Sequence, residues 1–167
     1  MKELVVRTDS DYAGCRRTRK STSAGVVVLG THLVKSWSST QAIIALSSGE
    51  AEFYSIVKGG SVGLGIKRML EDLGVKVKLT VNTDASAAKG IAARSGAGKV
   101  RHIEVTQLWI QDKVRKGEIA IRKVGTAENL ADALTKQVSS DELAYHITYT
   151  WQAVSTGRHE LAPEVTS

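Results

Sequence analysis

Four carboxylates in this sequence stand where they could share one piece of chemistry. Asp9 closes an apolar run that reads as a strand, Asp84 closes another, and Glu52 lies near the start of a helical pattern. Asp132 sits in the late segment Glu128-Asn129-Leu130-Ala131-Asp132-Ala133. Acids at strand ends and on a facing helix can converge although the chain separates them widely. Converged carboxylates raise one another's pKa values and are costly without a cation. Mg²⁺ relieves that cost, because it prefers oxygen ligands and keeps waters and substrate phosphate oxygens around it. Two such ions about 4 Å apart can activate a water and stabilise the leaving oxygen of a phosphodiester. Taken singly, each acid could equally be a helix cap or a solvated charge, so spacing suggests this chemistry without naming an enzyme.

The elements that must position these acids follow from local patterning. Glu3 to Thr8 reads as a buried strand, followed by a basic loop through Ser21. Ala24 to Leu29 and Leu33 to Trp37 read as strands joined by the short Gly30-Thr31-His32 turn, making an antiparallel meander. Ser47-Ser48-Gly49-Glu50 is a helix start, with a serine cap and an acid in the first turn. Phe53, Ile56 and Val57 make its apolar stripe, which continues to Leu73 through Gly59, Gly60, Gly63 and Gly65. Each glycine costs roughly 1 kcal/mol against alanine, so either the helix breaks near Gly59-Gly60 or another element packs closely on it. Val75 to Val81 reads as a strand, Ala85 to Ala93 as a helix and Ser95 to Lys99 as a glycine-rich loop. A helix from about His102 to Lys116, a strand Glu118 to Val124 and a helix Ala127 to Lys136 follow. A last helix runs from Ser140 to about Trp151. The order is that of a mixed α/β domain.

Length and composition bound the partners. The 167 residues suit one domain, expected over 1–150, with a loose tail over 151–167. Cys15 has no second cysteine to pair with, and four scattered histidines argue against structural zinc. The longest apolar run, Val26 to Leu29, is far too short for a membrane span, and the first residues lack a signal peptide's apolar stretch. The expectation is an intracellular protein, cytoplasmic or nuclear, and not a secreted one. The net charge of +6 favours a polyanionic partner. Basic residues cluster at Arg16, Arg17, Arg19 and Lys20, and again at Arg94, Lys99 and Arg101. Gly96-Ala97-Gly98-Lys99 lacks the remaining residues of a phosphate loop, and the glycines of Gly60 to Gly65 are in the wrong order for a dinucleotide site.

Seven segments, in order, carry a family resemblance. They are Thr8-Asp9-Ser10-Asp11-Tyr12-Ala13-Gly14, Arg19-Lys20-Ser21-Thr22-Ser23-Ala24-Gly25 and Ser36-Trp37-Ser38-Ser39-Thr40-Gln41. Then come Ala45-Leu46-Ser47-Ser48-Gly49-Glu50-Ala51-Glu52-Phe53, Thr83-Asp84-Ala85-Ser86-Ala87 and Lys99-Val100-Arg101-His102-Ile103-Glu104. Glu128-Asn129-Leu130-Ala131-Asp132-Ala133-Leu134-Thr135-Lys136 completes the series. Over about residues 5 to 138 the chain resembles the ribonuclease H domain of copia-type LTR retrotransposons. The resemblance implies an RNase H-like α/β fold, a five-stranded mixed sheet in the order 3-2-1-4-5 flanked by helices. It implies Mg²⁺-dependent (or Mn²⁺-dependent) cleavage of the RNA strand of an RNA–DNA hybrid, with two ions bound beside the substrate. The family's four catalytic, metal-holding acids fall on Asp9, Glu52, Asp84 and Asp132. Such domains usually follow a reverse transcriptase in a polyprotein, which makes that domain a possible partner. Phosphate contacts are then expected from Arg16, Arg17, Arg19, Lys20, Lys99, Arg101 and His102.

Some positions stay open on the residues alone. Glu50 and Glu52 flank the same helical stripe, and only the family pattern selects Glu52, leaving Glu50 as an acid favoured near a helix N-terminus. Asp11 is either an auxiliary ligand or a turn residue, with the turn preferred. Many relatives carry a histidine before the last helix, where this chain has Gly125 in Lys123-Val124-Gly125-Thr126. Its absence predicts slow turnover. The rival function is a non-catalytic module of the same fold that binds nucleic acid or tethers a polymerase, and another nuclease of this superfold is a third reading.

Overall fold

In the computed structural model the described residues are 2–95 and 108–153. The expected loop from Ser95 to Lys99 beyond its first residue, the first part of the helix from His102, the contact residues Lys99, Arg101 and His102, and the tail past 153 lie outside them. Five strands form one sheet in the order β3-β2-β1-β4-β5, as the resemblance implies. They are β1 (Lys2–Asp11), β2 (Thr22–Leu29), β3 (His32–Thr40), β4 (Val77–Thr83) and β5 (Ala120–Lys123). The first three pair antiparallel, whereas β4 lies parallel to β1 and β5 parallel to β4. A parallel neighbour needs a crossover, and the helices supply it.

One helix, α1 (Ser48–Asp72), packs over β1, β4 and β2 and does not break at its glycines. Close packing decides between the two alternatives the sequence leaves. A Cβ on Gly59 would fall 2.5 Å from Thr8 Cγ2, one on Gly60 2.4 Å from Ile110 Cδ1, and one on Gly63 2.7 Å from Leu79 Cδ1. Real Cβ atoms do not approach so near, so the missing side chains let α1 sit directly on the sheet and on α3 (Trp109–Arg115). Gly65 faces open space and serves no such contact. The main core lies on this face and includes Leu4, Val6, Phe53, Ile56, Leu79, Val81 and Ile110, with α2 (Ser86–Ala93) completing it.

The opposite face carries a smaller apolar cluster of Val26, Val28 and Leu130. Here the expected helix over Ala127 to Lys136 does not form. Two single 3₁₀ turns, Thr126–Glu128 and Asp132–Leu134, stand in its place. Asn129 separates them with an extended backbone (φ −86°, ψ 93°), buried with its Nδ2 donating to the Thr8 carbonyl at 3.1 Å. A short polar side chain that bonds backbone outside its own turn competes with helix propagation. The last helix, α4 (Ser140–Tyr149), begins with a complete capping box between Ser139 and Glu142 but buries none of its residues. Among the described residues no helix is long and apolar enough to cross a membrane.

Candidate active site

Strand register brings the first two acids together. The parallel ladder between β1 and β4 ends at the pair Arg7↔Asn82, and two residues beyond it on each chain stand Asp9 and Asp84. Past that point β1 continues only against β2, with Asp9 opposite Ala24. The Thr8 carbonyl left without a β4 partner is taken by Asn129. Because both strands run the same way, their ends deliver both carboxylates to one edge of the sheet.

Glu52 arrives from above. Ser47 caps α1 by accepting from the Glu50 N–H at 3.2 Å, which fixes where the first turn begins. One turn later the Glu52 carboxylate meets β1. Its Oε1 accepts from the Ser10 N–H at 3.0 Å and from the Ser10 hydroxyl at 2.8 Å. One oxygen each of Asp9, Glu52 and Asp84 then lie within 4.8 Å of one another. Asp84 Oδ2 accepts from Thr126 Oγ1 at 3.1 Å, and Asp9 Oδ2 accepts from Thr135 Oγ1.

Asp132, from the second 3₁₀ turn, stands beside this trio and is joined to it by a cation. Lys136 Nζ lies 3.2 Å from Asp132 Oδ2 and 3.5 Å from Asp9 Oδ2. Burial pushes the Glu52 carboxyl up to about 7; the Ser10 hydrogen bonds resist this, while the charges of Asp9 and Asp84 add to it. Burial also raises Asp132, helped by the neighbouring Asp9 and opposed by Lys136. Burial works against the charge on Lys136, but Asp9 and Asp132 outweigh it and raise its pKa.

The donor set fits a hard divalent cation. Carboxylate oxygens are its preferred ligands, and two of them are buried without a hydrogen-bond partner among the described residues: Glu52 Oε2 and Asp132 Oδ1. An orphaned buried acceptor costs about 1–3 kcal/mol, more for a charged group, and a cation removes that cost.

The competing acids have other work. Glu50 is buried, its Oε2 accepting from the Leu46 N–H at 2.9 Å and its Oε1 from the Tyr54 hydroxyl at 2.6 Å. It holds the entry to α1. The Asp11 carboxylate folds over Gly14, where a Cβ would fall 1.6 Å from Oδ2, so it belongs to the turn. Arg16, Arg17 and Arg19 are exposed and Lys20 half-buried, in the loop that leaves the Asp9 end of β1. That loop closes on itself, Cys15 N–H to the Lys20 carbonyl at 3.2 Å and Arg19 N–H to the Cys15 carbonyl at 2.7 Å. Gly125 has an ordinary extended backbone (φ −71°, ψ 147°) and open space around it. Sequence reasoning did not single out Ser10, Thr126, Thr135 or Lys136. All four stood inside segments quoted for other reasons, but nothing in a linear motif says which acid each would serve.

No protein-family model matches the chain. It is similar to the retrovirus-related Pol polyprotein from transposon TNT 1-94 of Nicotiana tabacum, 32% identical over 133 residues, covering 78% of this chain and 10% of that protein. It is equally similar to the Pol polyprotein from transposon RE1 of Arabidopsis thaliana, 32% identical over 140 residues, 81% of this chain and 10% of the other. The chain thus spans about a tenth of the length of the curated relatives it matches. Among solved structures it is similar to LC11-RNase H1 isolated from compost by a metagenomic approach, with a TM-score of 0.53 and 17% identity over 80% of this chain and 93% of that one. The N-terminal RNase H domain of Rv2228c from Mycobacterium tuberculosis gives a TM-score of 0.52 at 17% identity, over 89% and 98% of the two chains. LC11-RNase H1 in complex with an RNA/DNA hybrid gives 0.51 at 15% identity, over 79% and 93%.

Proposed function

We propose that this chain, which belongs with the RNase H domains of copia-type retrotransposon Pol polyproteins, is a divalent-cation-dependent endonuclease that hydrolyses the RNA strand of an RNA–DNA hybrid. The observation that carries this reading is the convergence of Asp9, Glu52 and Asp84 within 4.8 Å at one end of the sheet, with Asp132 beside them. These four acids would hold Mg²⁺ or Mn²⁺, two ions when substrate is present. When bound, such ions supply an activated water and stabilise charge on the leaving oxygen. The chain's own part is to hold oxygens in place. Ser10 fixes one oxygen of Glu52 and leaves the other buried without a hydrogen-bond partner, while Thr126 and Thr135 each hold one oxygen of Asp84 and of Asp9. The Arg16 to Lys20 loop lies at the Asp9 end of β1 and would draw the sugar–phosphate backbone toward the acids, a salt-sensitive contribution.

The hybrid bound by LC11-RNase H1 supports this choice of substrate, and the polyprotein relatives support a place within a Pol polyprotein; action beside a reverse transcriptase, inside the cell, belongs to the same proposal. The test is cleavage of an end-labelled RNA–DNA hybrid with Mg²⁺, against an EDTA control and against duplex and single-stranded DNA. RNA-strand cutting that needs the ion and disappears in Asp84→Asn and Asp132→Asn is the expected result. Hybrid binding without cutting would leave a non-catalytic module, and preferential cutting of duplex DNA would indicate another nuclease of this fold.

A further inference from the structure

The four acids are not neutralised alike. Among the described residues, the ion pairs made by this cluster both run to Lys136, and both lie on its Asp9–Asp132 side. Its Nζ faces Oδ2 of each acid, and Asp9 Oδ2 also takes the Thr135 hydroxyl. On the other side, Glu52 and Asp84 converge on Asp9 and make no ion pair among the described residues, and Glu52 Oε2 has no hydrogen-bond partner there. An ion held by Glu52, Asp84 and the Asp9 oxygen that does not face the lysine leaves Lys136 in place. An ion that joins Asp9 to Asp132 through the oxygens facing the ammonium must displace it, because a dication and an ammonium held a few ångströms apart on the same oxygens repel each other. Lys136 is able to leave: its side chain is 47% exposed and its stem has four rotatable bonds.

We propose that Lys136 is an internal counter-ion occupying the second cation position, so that one divalent ion binds at Asp9, Glu52 and Asp84 first and a second enters between Asp9 and Asp132 only by displacing the lysine. This rests on the reading that these acids hold divalent ions, but not on any turnover. In the apo protein the lysine keeps two buried carboxylates compatible with folding; with ions present it becomes the group that separates a tight site from a weak one. It is a positioning residue, acting through Asp9 and Asp132.

The test is titration of the full chain with Mn²⁺, without nucleic acid, counting bound and free ions by electron paramagnetic resonance. The parent protein should show one tighter and one weaker ion. Lys136→Met should strengthen the weaker ion roughly tenfold or more, because a competing unit charge a few ångströms away is gone, and leave the tighter one within about threefold. Lys136→Arg, which grips both carboxylates with a fork of donors, should weaken the second ion further. The Met variant without ions should melt lower than the parent and gain more from added Mn²⁺. Unchanged stoichiometry and affinities in Lys136→Met would overturn the proposal. If that variant does not fold, unchanged second-ion affinity in Lys136→Arg would overturn it instead. Altered ion binding in a protein that never cuts hybrid would refute the hydrolytic reading and leave this one standing.

Discussion

On one face of the sheet α1 lies against β1, β4 and α3 through Gly59, Gly60 and Gly63, and Glu52 leaves that helix one turn after a capped start. On the other face α4 buries none of its residues, and Asp132 rides on a single 3₁₀ turn held by Asn129 and Lys136. The first support is a core helix that cannot shift without disturbing the main apolar cluster. The second is a short segment tied by a few polar contacts. The difference teaches that three acids are set in place by the fold itself, whereas the fourth is set by an ion pair and can adjust. The proposed cation site, built this way, has a firm half and a yielding half.

The largest effect expected from this contrast separates Glu52 from Glu50. Glu52→Gln should lower hybrid cleavage by about 10³-fold or more, as for groups acting as one catalytic unit, while the protein stays folded. Glu50→Ala should instead destabilise by about 2–4 kcal/mol, since the Leu46 N–H and the Tyr54 hydroxyl lose the oxygens they bond. Activity measured beside thermal melting distinguishes them, and equal activity losses in two stable variants would break the assignment.

Next in size are the glycines of α1. Gly60→Val should cost about 2–3 kcal/mol or more by driving carbon into Ile110, and Gly65→Ala should gain about 0.5–1 kcal/mol in open space. Urea titration of both variants reads the firmness of the helix–sheet contact. A neutral Gly60→Val would show that α1 sits more loosely than its geometry says.

The raised Glu52 pKa gives a pH dependence of similar or smaller size. Its folded value of about 7 exceeds the ordinary 4.5, so over that interval the folded state holds more proton than the unfolded one. Stability of the ion-free protein should therefore be greatest, for this group, below pH 4.5, fall as pH rises toward 7, and level off above it. The total fall is at most about 3–4 kcal/mol at 1.36 kcal/mol per unit. Asp132 adds a fall of the same sign. Mg²⁺ should restore stability most at the high-pH end, and Glu52→Gln should flatten the ion-free curve. A parent protein that gains stability from pH 5 to 7 without ions would contradict this.

The smallest effect belongs to Gly125. Its backbone is extended and its surroundings open, so Gly125→His should change stability by no more than about 0.5 kcal/mol. It should raise multiple-turnover cleavage more than the single-turnover rate, because an imidazole there adds a proton route near neutral pH. Equal gains in both, or none, would remove any role for that position in product departure.

Much of this was legible before any coordinates. Asp9 and Asp84 behind apolar runs and the cap at Ser47 are local signals, although β1 runs two residues past Asp9, and the implied strand order sets β1 beside β4 without giving their register. Other features were not local. The glycines of α1 posed a question that only the neighbouring Thr8, Leu79 and Ile110 answer. The segment from Ala127 to Lys136 has helical spacing, yet Asn129 is drawn off to Thr8, a residue far away in the chain. Lys136 was visible in a motif, but its tie to Asp9 is a long-range contact that no spacing encodes.

The glycine-lined contact under α1 also bears on how the molecule breathes. Amide protons around Ile56 to Gly63 sit in the middle of a long helix pressed on the central strands, so they should exchange with solvent only when the whole domain opens. Those of Ser140–Tyr149 rest on a helix with no buried residue and can exchange by local opening. Between two global unfolding events α4 would then open and reclose many times, while the middle of α1 is carried unmoved through all of them.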